Sequence, residues 1–95
     1  MSLYKLSKDA ILETFDDGGL VLILPERRLV ELNPSAVEII QLLDGHRTPD
    51  QVAAEIARKF SISMEQANQD VTELCNDLYK SGILSLESEE QEKRT

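Results

Sequence analysis

Hydrophobic and polar positions change their period once along the chain, near Leu32. Before it the pattern is that of strands. Ile11, Glu13 and Phe15 alternate with Leu12 and Thr14, a spacing that predicts a short strand. Asp16-Asp17-Gly18-Gly19 follows, in which glycine tolerates positive φ and Asp side chains bond nearby backbone N–H groups, so the chain should reverse tightly there. Leu20-Val21-Leu22-Ile23-Leu24 is apolar on both faces. That suits a central strand covered by helices on one side and shielded on the other by a partner or by terminal residues. Pro25-Glu26-Arg27-Arg28 has turn composition, and Leu29 to Leu32 resumes extended structure. Three strands in a meander are expected.

After Leu32 the period becomes 3.6 and punctuation brackets three helices. Asn33-Pro34 supplies a capping oxygen and then Pro at the first helical position, where its missing N–H costs nothing. Val37, Ile40 and Leu43 share a face, and Gly45 should end this helix after about Asp44. Thr48-Pro49-Asp50-Gln51 reads as a capping box, followed by an apolar stripe of Ala53, Ile56, Ala57 and Phe60. Ser63-Met64-Glu65-Gln66 repeats that device, with Ile62 placed to pack on Ala67. The third helix has Ala67, Val71, Leu74, Cys75 and Leu78 on its apolar face, Gly82 as terminator and Ile83 where a Schellman motif packs a hydrophobe back on Leu78. Ile83 to Leu86 alternates weakly and would cover the sheet or the third helix. The fold class is α+β, a three-stranded antiparallel sheet followed by three helices. Residues 1–86 form one domain, and 87–95, with four Glu and no hydrophobe, form a disordered acidic tail.

Composition narrows the function. Ninety-five residues can bury roughly 60–65% of the unfolded surface, enough for one thin core and not for a large enclosed active site. A net charge of −8 weighs against nucleic acid, whose phosphates are neutralised by Lys and Arg. The apolar run from Leu20 to Leu24 is far too short to span a membrane. One Cys and no charged-then-apolar leader indicate a cytoplasmic protein that does not contact membranes.

Candidate catalysts are few. His46 sits between Gly45 and Arg47 with no second ligand at metal-site spacing, and reads as a solvated loop residue rather than a base or ligand. Cys75 lies on an apolar stripe, where burial raises the thiol pKa and makes it inert. Asp70, Glu73 and Asp77 share one side of the third helix and read as a solvated face, and Gly18-Gly19 opens a strand rather than a phosphate-binding helix. No catalytic residue, cofactor or metal is expected, and the protein is read as a non-enzyme. A sheet edge remains. In a meander the strand from Arg27 to Leu32 is an edge, a row of unpaired backbone groups that another chain can extend, whether a peptide or a second copy of this one. A Pro at Val30 would test whether that residue's N–H pairs with an added strand.

The segment from Leu22 to Leu84 resembles the PqqD family, peptide chaperones of pyrroloquinoline quinone biosynthesis, and the precursor-peptide recognition domains built like them. The resemblance is carried by Leu24-Pro25-Glu26 leading into Val30-Glu31-Leu32-Asn33, and by Ser35-Ala36 through Leu42-Leu43-Asp44-Gly45. Arg47-Thr48 with Val52 and Ile56, and Asp70-Val71 with Leu78 and Gly82-Ile83-Leu84, complete it. It implies a winged helix-turn-helix-like domain that binds the leader of a ribosomally made precursor peptide as an added strand. The leader is then presented to a tailoring enzyme, of the radical S-adenosylmethionine type in the quinone pathway. Position by position, the peptide-binding residues would be Arg27, Arg28, Leu29, Val30, Glu31 and Leu32, facing Val71, Leu74, Cys75 and Leu78. Periodicity does not say which of the last four meet the cleft. The alternative is a DNA-binding winged-helix transcriptional regulator, since Ser61-Ile62-Ser63 joins helices two and three as a short turn. Against it, the third helix sets Glu65, Asp70, Glu73 and Asp77 against Lys80 alone.

Overall fold

The computed structural model describes residues 3–24 and 26–87. The meander is present as β2 (Ala10–Phe15), β3 (Gly18–Ile23) and β4 (Arg28–Leu32), in the order β2-β3-β4 and antiparallel throughout. The helices follow as α1 (Pro34–Leu42), α2 (Pro49–Phe60) and α3 (Met64–Lys80). Two elements lie outside the meander and helices: β1 (Tyr4–Leu6) and β5 (Leu84–Leu86) pair with each other as a separate antiparallel ribbon. Ile83 to Leu86 lies against α3, one of the two places expected for it, and its last three residues also form a strand. Leu84–Leu86 pairs with the N-terminal segment, and the Ser7 N–H donates to the Ile83 carbonyl at 2.8 Å. Residue 88 onward, where the acidic tail was expected, lies outside the described residues, as does Pro25. Glu87 is described, with its N–H donated to the Leu3 carbonyl at 2.9 Å and its carboxylate 3.3 Å from Lys5.

The helix caps follow the local chemistry with two differences. Asn33 accepts from the Ala36 N–H at 2.8 Å, and Thr48 and Gln51 form the full reciprocal box. Ser63 caps α3 through the Gln66 N–H at 3.0 Å, but the Gln66 side chain does not reach back. It donates instead to Asp70 at 2.8 Å, one turn on. That exposed i, i+4 pair on a long helix competes directly with the box. The other difference is at α1, which ends at Leu42 rather than Asp44. Gly45, at φ 86°, belongs to the following loop, where its N–H donates to the Tyr4 carbonyl at 3.1 Å. Arg47 reaches back to the Leu42 carbonyl at 3.2 Å and to Asp44 at 2.9 Å, which ties off the helix end. The Asp44 carboxyl is held below its usual range, first by the bond from the His46 N–H and then by Arg47.

The Schellman end of α3 is complete. Ile83 N–H donates to Leu78 and Gly82 N–H to Tyr79, with Gly82 at φ 85° and Ile83 fully buried. The core lies between the sheet's inner face and the three helices, with Val21, Ile23, Ile39, Ile40, Val52, Ile56, Val71 and Cys75 at its centre. Phe60, on the stripe expected to be buried, is instead 40% exposed at the end of α2. The β2–β3 reversal needs its glycines for close approach. A Cβ on Gly18 would overlap the Leu32 carbonyl oxygen, and one on Gly19 would stand 2.9 Å from Val37.

Candidate functional site: a free sheet edge and the groove beside it

Strand β4 has β3 on one side and no other described strand on its other side. Which of its backbone groups face out follows from the ladder. Phe15 pairs with Gly18 around the two-residue turn Asp16-Asp17, and Leu24 N–H donates to Asp9 at 2.9 Å. In an antiparallel ladder bonding direction alternates residue by residue, so Gly18, Leu20 and Leu22 bond toward β2 while Gly19, Val21 and Ile23 bond toward β4. The partners of those last three are Leu32, Val30 and Arg28. These therefore use their N–H and C=O groups inside the sheet, and Leu29 and Glu31 present theirs at the open edge. The Val30 N–H points to β3, so a Pro at Val30 would break the meander rather than probe the edge.

Side chains divide differently. Val30 and Leu32 are half-buried on the inner face opposite Val21 and Gly19, while Leu29 and Glu31 are exposed on the outer face. Arg27 lies in the β3–β4 turn at φ 53°, exposed, with its N–H closing the turn onto Leu24 at 3.2 Å. Arg28 is exposed too, but it is anchored. Its guanidinium donates to the Ser81 carbonyl at 2.6 Å, at the C-terminal end of α3, and pairs with Glu26 at 3.1 Å. The start of β4 is thereby tied to the end of α3.

At the other end of β4 the chain opens into a groove of about 340 Å³. Asn33, Ala36 and Ile39 form one wall, Phe60 and Ile62 another, and Asp70 and Leu74 of α3 face them. Between Ser81 at one end and Leu74 at the other, α3 covers about 10 Å along its axis at 1.5 Å per residue. β4 covers about 13 Å at 3.3 Å per residue. Edge and helix thus run alongside each other, with a closed end at Arg28 and an apolar open end at Leu74.

The four residues of α3 considered for the cleft are separated by this geometry. Val71, Cys75 and Leu78 are 0%, 2% and 5% exposed and belong to the core, whereas Leu74 is half-buried and lines the groove. Burial pushes the Cys75 thiol up to about 11. Set against an ordinary value near 9, this lowers the thiolate fraction at pH 8 by roughly 100-fold. Thiol reagent should accordingly modify Cys75 at least that much more slowly in the native protein than in 8 M urea, as read by absorbance. A comparable rate in both would mean the α3 interior is open. The groove residues Asn33, Ser35, Ile39, Phe60 and Ile62 were not legible as a site, because they come from three elements and the separate patterns read only as caps and core. A second hollow of about 410 Å³ lies by Gly18-Gly19 and Leu32. Asp17 and Glu31 stand in it, and its walls are the β2–β3 turn and the end of β4, away from α3.

Among the described residues no cluster of His, Cys, Asp or Glu could hold a metal ion, and no helix is long and apolar enough to cross a membrane. What the fold presents is an α+β domain of the winged-helix kind, with an open strand edge set beside a groove. Residues 19–84 match the family model described as coenzyme PQQ synthesis protein D, and the chain belongs to this PqqD family. It is 39% identical over 61 residues to a "PqqA binding protein" of Rhizobium meliloti (strain 1021), covering 64% of this chain and 61% of that one. A protein of the same name from Xanthomonas euvesicatoria pv. vesicatoria (strain 85-10) is 39% identical over 66 residues, 70% of this chain and 71% of its own length. Among solved structures, a lasso peptide synthetase B1 complexed with its leader peptide superposes with a TM-score of 0.78 at 22% identity, covering 87% of this chain and 98% of that one. The PqqD truncation of Methylobacterium extorquens PqqCD, described as a stand-alone RiPP recognition element, gives 0.72 at 21% identity, over 86% and 87% of the two chains. At these identities the two structures show a shared fold.

Proposed function

We propose that this chain is a non-catalytic recognition module that captures the leader of a ribosomally made precursor peptide by strand addition to β4 and hands it to a modifying enzyme. The observation that carries the reading is the open edge of β4, with the Leu29 and Glu31 backbone groups directed outward, set beside the groove at Leu74. Backbone pairing supplies affinity without sequence preference, and an apolar leader side chain in the groove supplies selectivity. The names borne by the family's relatives, PqqA binding proteins, and the leader bound to the lasso peptide synthetase support the same reading. A radical S-adenosylmethionine enzyme is the recipient that family membership suggests. Arg28 acts here as a strut to Ser81 rather than as a free cation for acidic leader residues, which leaves Arg27 for that role.

The test is a titration with the synthetic leader of the precursor encoded beside this gene, followed by amide chemical shifts. Shifts are expected at residues 28–33 and around Leu74, and their absence from both regions would overturn the proposal. Leu74→Arg should fill the groove with a long polar side chain that can pair with Asp70 one turn back, removing the apolar pocket and weakening leader binding by at least about tenfold. Because Leu74 is only half-buried, the thermal midpoint should move little. Unchanged leader affinity in this variant would remove the groove from the site.

A further inference from the structure

The sheet has a second face. Alternation from the buried Val21 and Ile23 puts Ile11, Glu13 and Phe15 of β2, Leu20 and Leu22 of β3, and Leu29 and Glu31 of β4 on the side away from the helices. The register aligns Ile11, Leu22 and Leu29 in one row straight across the three strands. Ile11 is 43% exposed and Leu29 64%, with Leu24 and Phe15 exposed on either side of the row. The adjacent row is Glu13, Leu20, Glu31, so a carboxylate stands on each side of Leu20. No cation projects from the three strands on this face; Lys8 and Arg27 lie in the turns at its Leu24 end, and Asp16 and Asp17 in the turn at its Phe15 end. An apolar row on an otherwise charged small chain marks an interaction surface.

We infer that this face docks the modifying enzyme, through an apolar ridge flanked by Lys and Arg that meet Glu13 and Glu31. The inference rests on the peptide-capture reading and deepens it. A leader strand added at β4 would place an outward side chain next to Leu29, extending the row by one position. The enzyme would then meet a four-strand surface that exists only in the loaded module.

Other occupants fit less well. Residues 88–95 contain no hydrophobe and cannot cover an apolar row. A second copy would bring −8 against −8. Three strands 4.8 Å apart and five or six residues long present roughly 250 Å² a side. Two such faces bury about 500 Å², short of the ~1,000 Å² that a specific interface needs. A larger partner reaches past the sheet onto the added strand and the flanking turns.

The experiment uses the full chain, the purified modifying enzyme encoded beside its gene, and the synthetic leader. Ile11→Lys/Leu24→Lys puts one cation into the apolar row and a second beside it, both opposing the enzyme's cations; Glu13→Lys reverses one rim charge and leaves the row intact. Enzyme affinity should fall at least about 30-fold in the first and about five- to tenfold in the second at 50 mM NaCl, with the second loss shrinking at 500 mM as salt screens it. Leader affinity, measured separately, should stay within about twofold in both. Unchanged enzyme affinity in both variants overturns this inference and leaves peptide capture standing. So does a result in which the variants only turn a sedimenting dimer into a monomer, which would make the occupant a second copy. Failure of the wild-type chain to bind leader, with the enzyme losses still observed, overturns peptide capture and leaves the face as an enzyme dock. If Ile11→Lys/Leu24→Lys fails to fold, Glu13→Lys, at an exposed position, carries the decision.

Discussion

Glu31→Pro is expected to leave the domain folded and to weaken leader capture by well over tenfold. Residue 31 sits at the open edge, where ladder alternation directs its N–H away from β3, so Pro removes no bond inside the sheet. An added strand, by contrast, loses a donor, and the pyrrolidine ring occupies the space its carbonyl must enter. An unpaired acceptor in such a contact costs about 2–3 kcal/mol, which corresponds to roughly 30- to 150-fold in affinity. Fluorescence anisotropy with labelled leader reads the loss, and amide dispersion reports that the fold persists. Val30→Pro is the contrast. Its N–H bonds toward Val21, so that variant should lose sheet and binding together. If Glu31→Pro bound leader as tightly as the unaltered chain, strand addition at β4 would be wrong.

The largest effect on stability is expected for Ile83→Ala. Ile83 is fully buried, its N–H closes the α3 Schellman turn, and its carbonyl accepts from Ser7 before β2 begins. Truncating a buried Ile costs about 2–5 kcal/mol. A domain of this size has a total of about 5–14 kcal/mol. At roughly 4–8 °C per kcal/mol the midpoint should drop by about 8–40 °C, as followed by circular dichroism. Ile11→Ala, at a 43% exposed position, removes the same atoms and should cost less than about 1 kcal/mol. A drop below about 3 °C for Ile83→Ala would show that the corner of α3 and β5 is not part of the cooperative core.

Much of the fold was legible because its signals are local. Thr48 and Gln51, Asn33 with Pro34, and Gly82 with Ile83 each satisfy helix ends using atoms within a few residues. Asp16-Asp17 before Gly18 sets the β2–β3 reversal in the same way. The apolar run of β3 also announced a strand with something on both faces, and the Ile11, Leu22, Leu29 row is the uncovered half of that pattern. Gln66 was misread where two local choices compete at similar energy, the back-bond to the cap and the forward bond to Asp70.

The site was legible only as an edge. Leu74, Val71, Cys75 and Leu78 fall on one helical stripe, and a stripe wider than 100° always includes positions at the margin of the core. Only the placement of α1 and α2 against α3 showed that Leu74 is the marginal one, and only the register of β3 showed that Leu29 and Glu31, not Val30, hold the outward backbone groups.

By itself, then, the sequence determined the order of the meander and the three helices, most of their ends to within about two residues, and which strand would be an edge, because turns, caps and periodicity act over three to seven residues. The tertiary structure decided the pairing of Tyr4–Leu6 with Leu84–Leu86, the anchoring of Arg28 on Ser81 and the groove at Leu74. Those contacts join residues about fifty to eighty positions apart, or gather three elements at one place. Three-residue strands have too little local pattern to name their partner, and an arginine's choice between solvent, peptide and a helix-end carbonyl is made only once that carbonyl has been brought within reach.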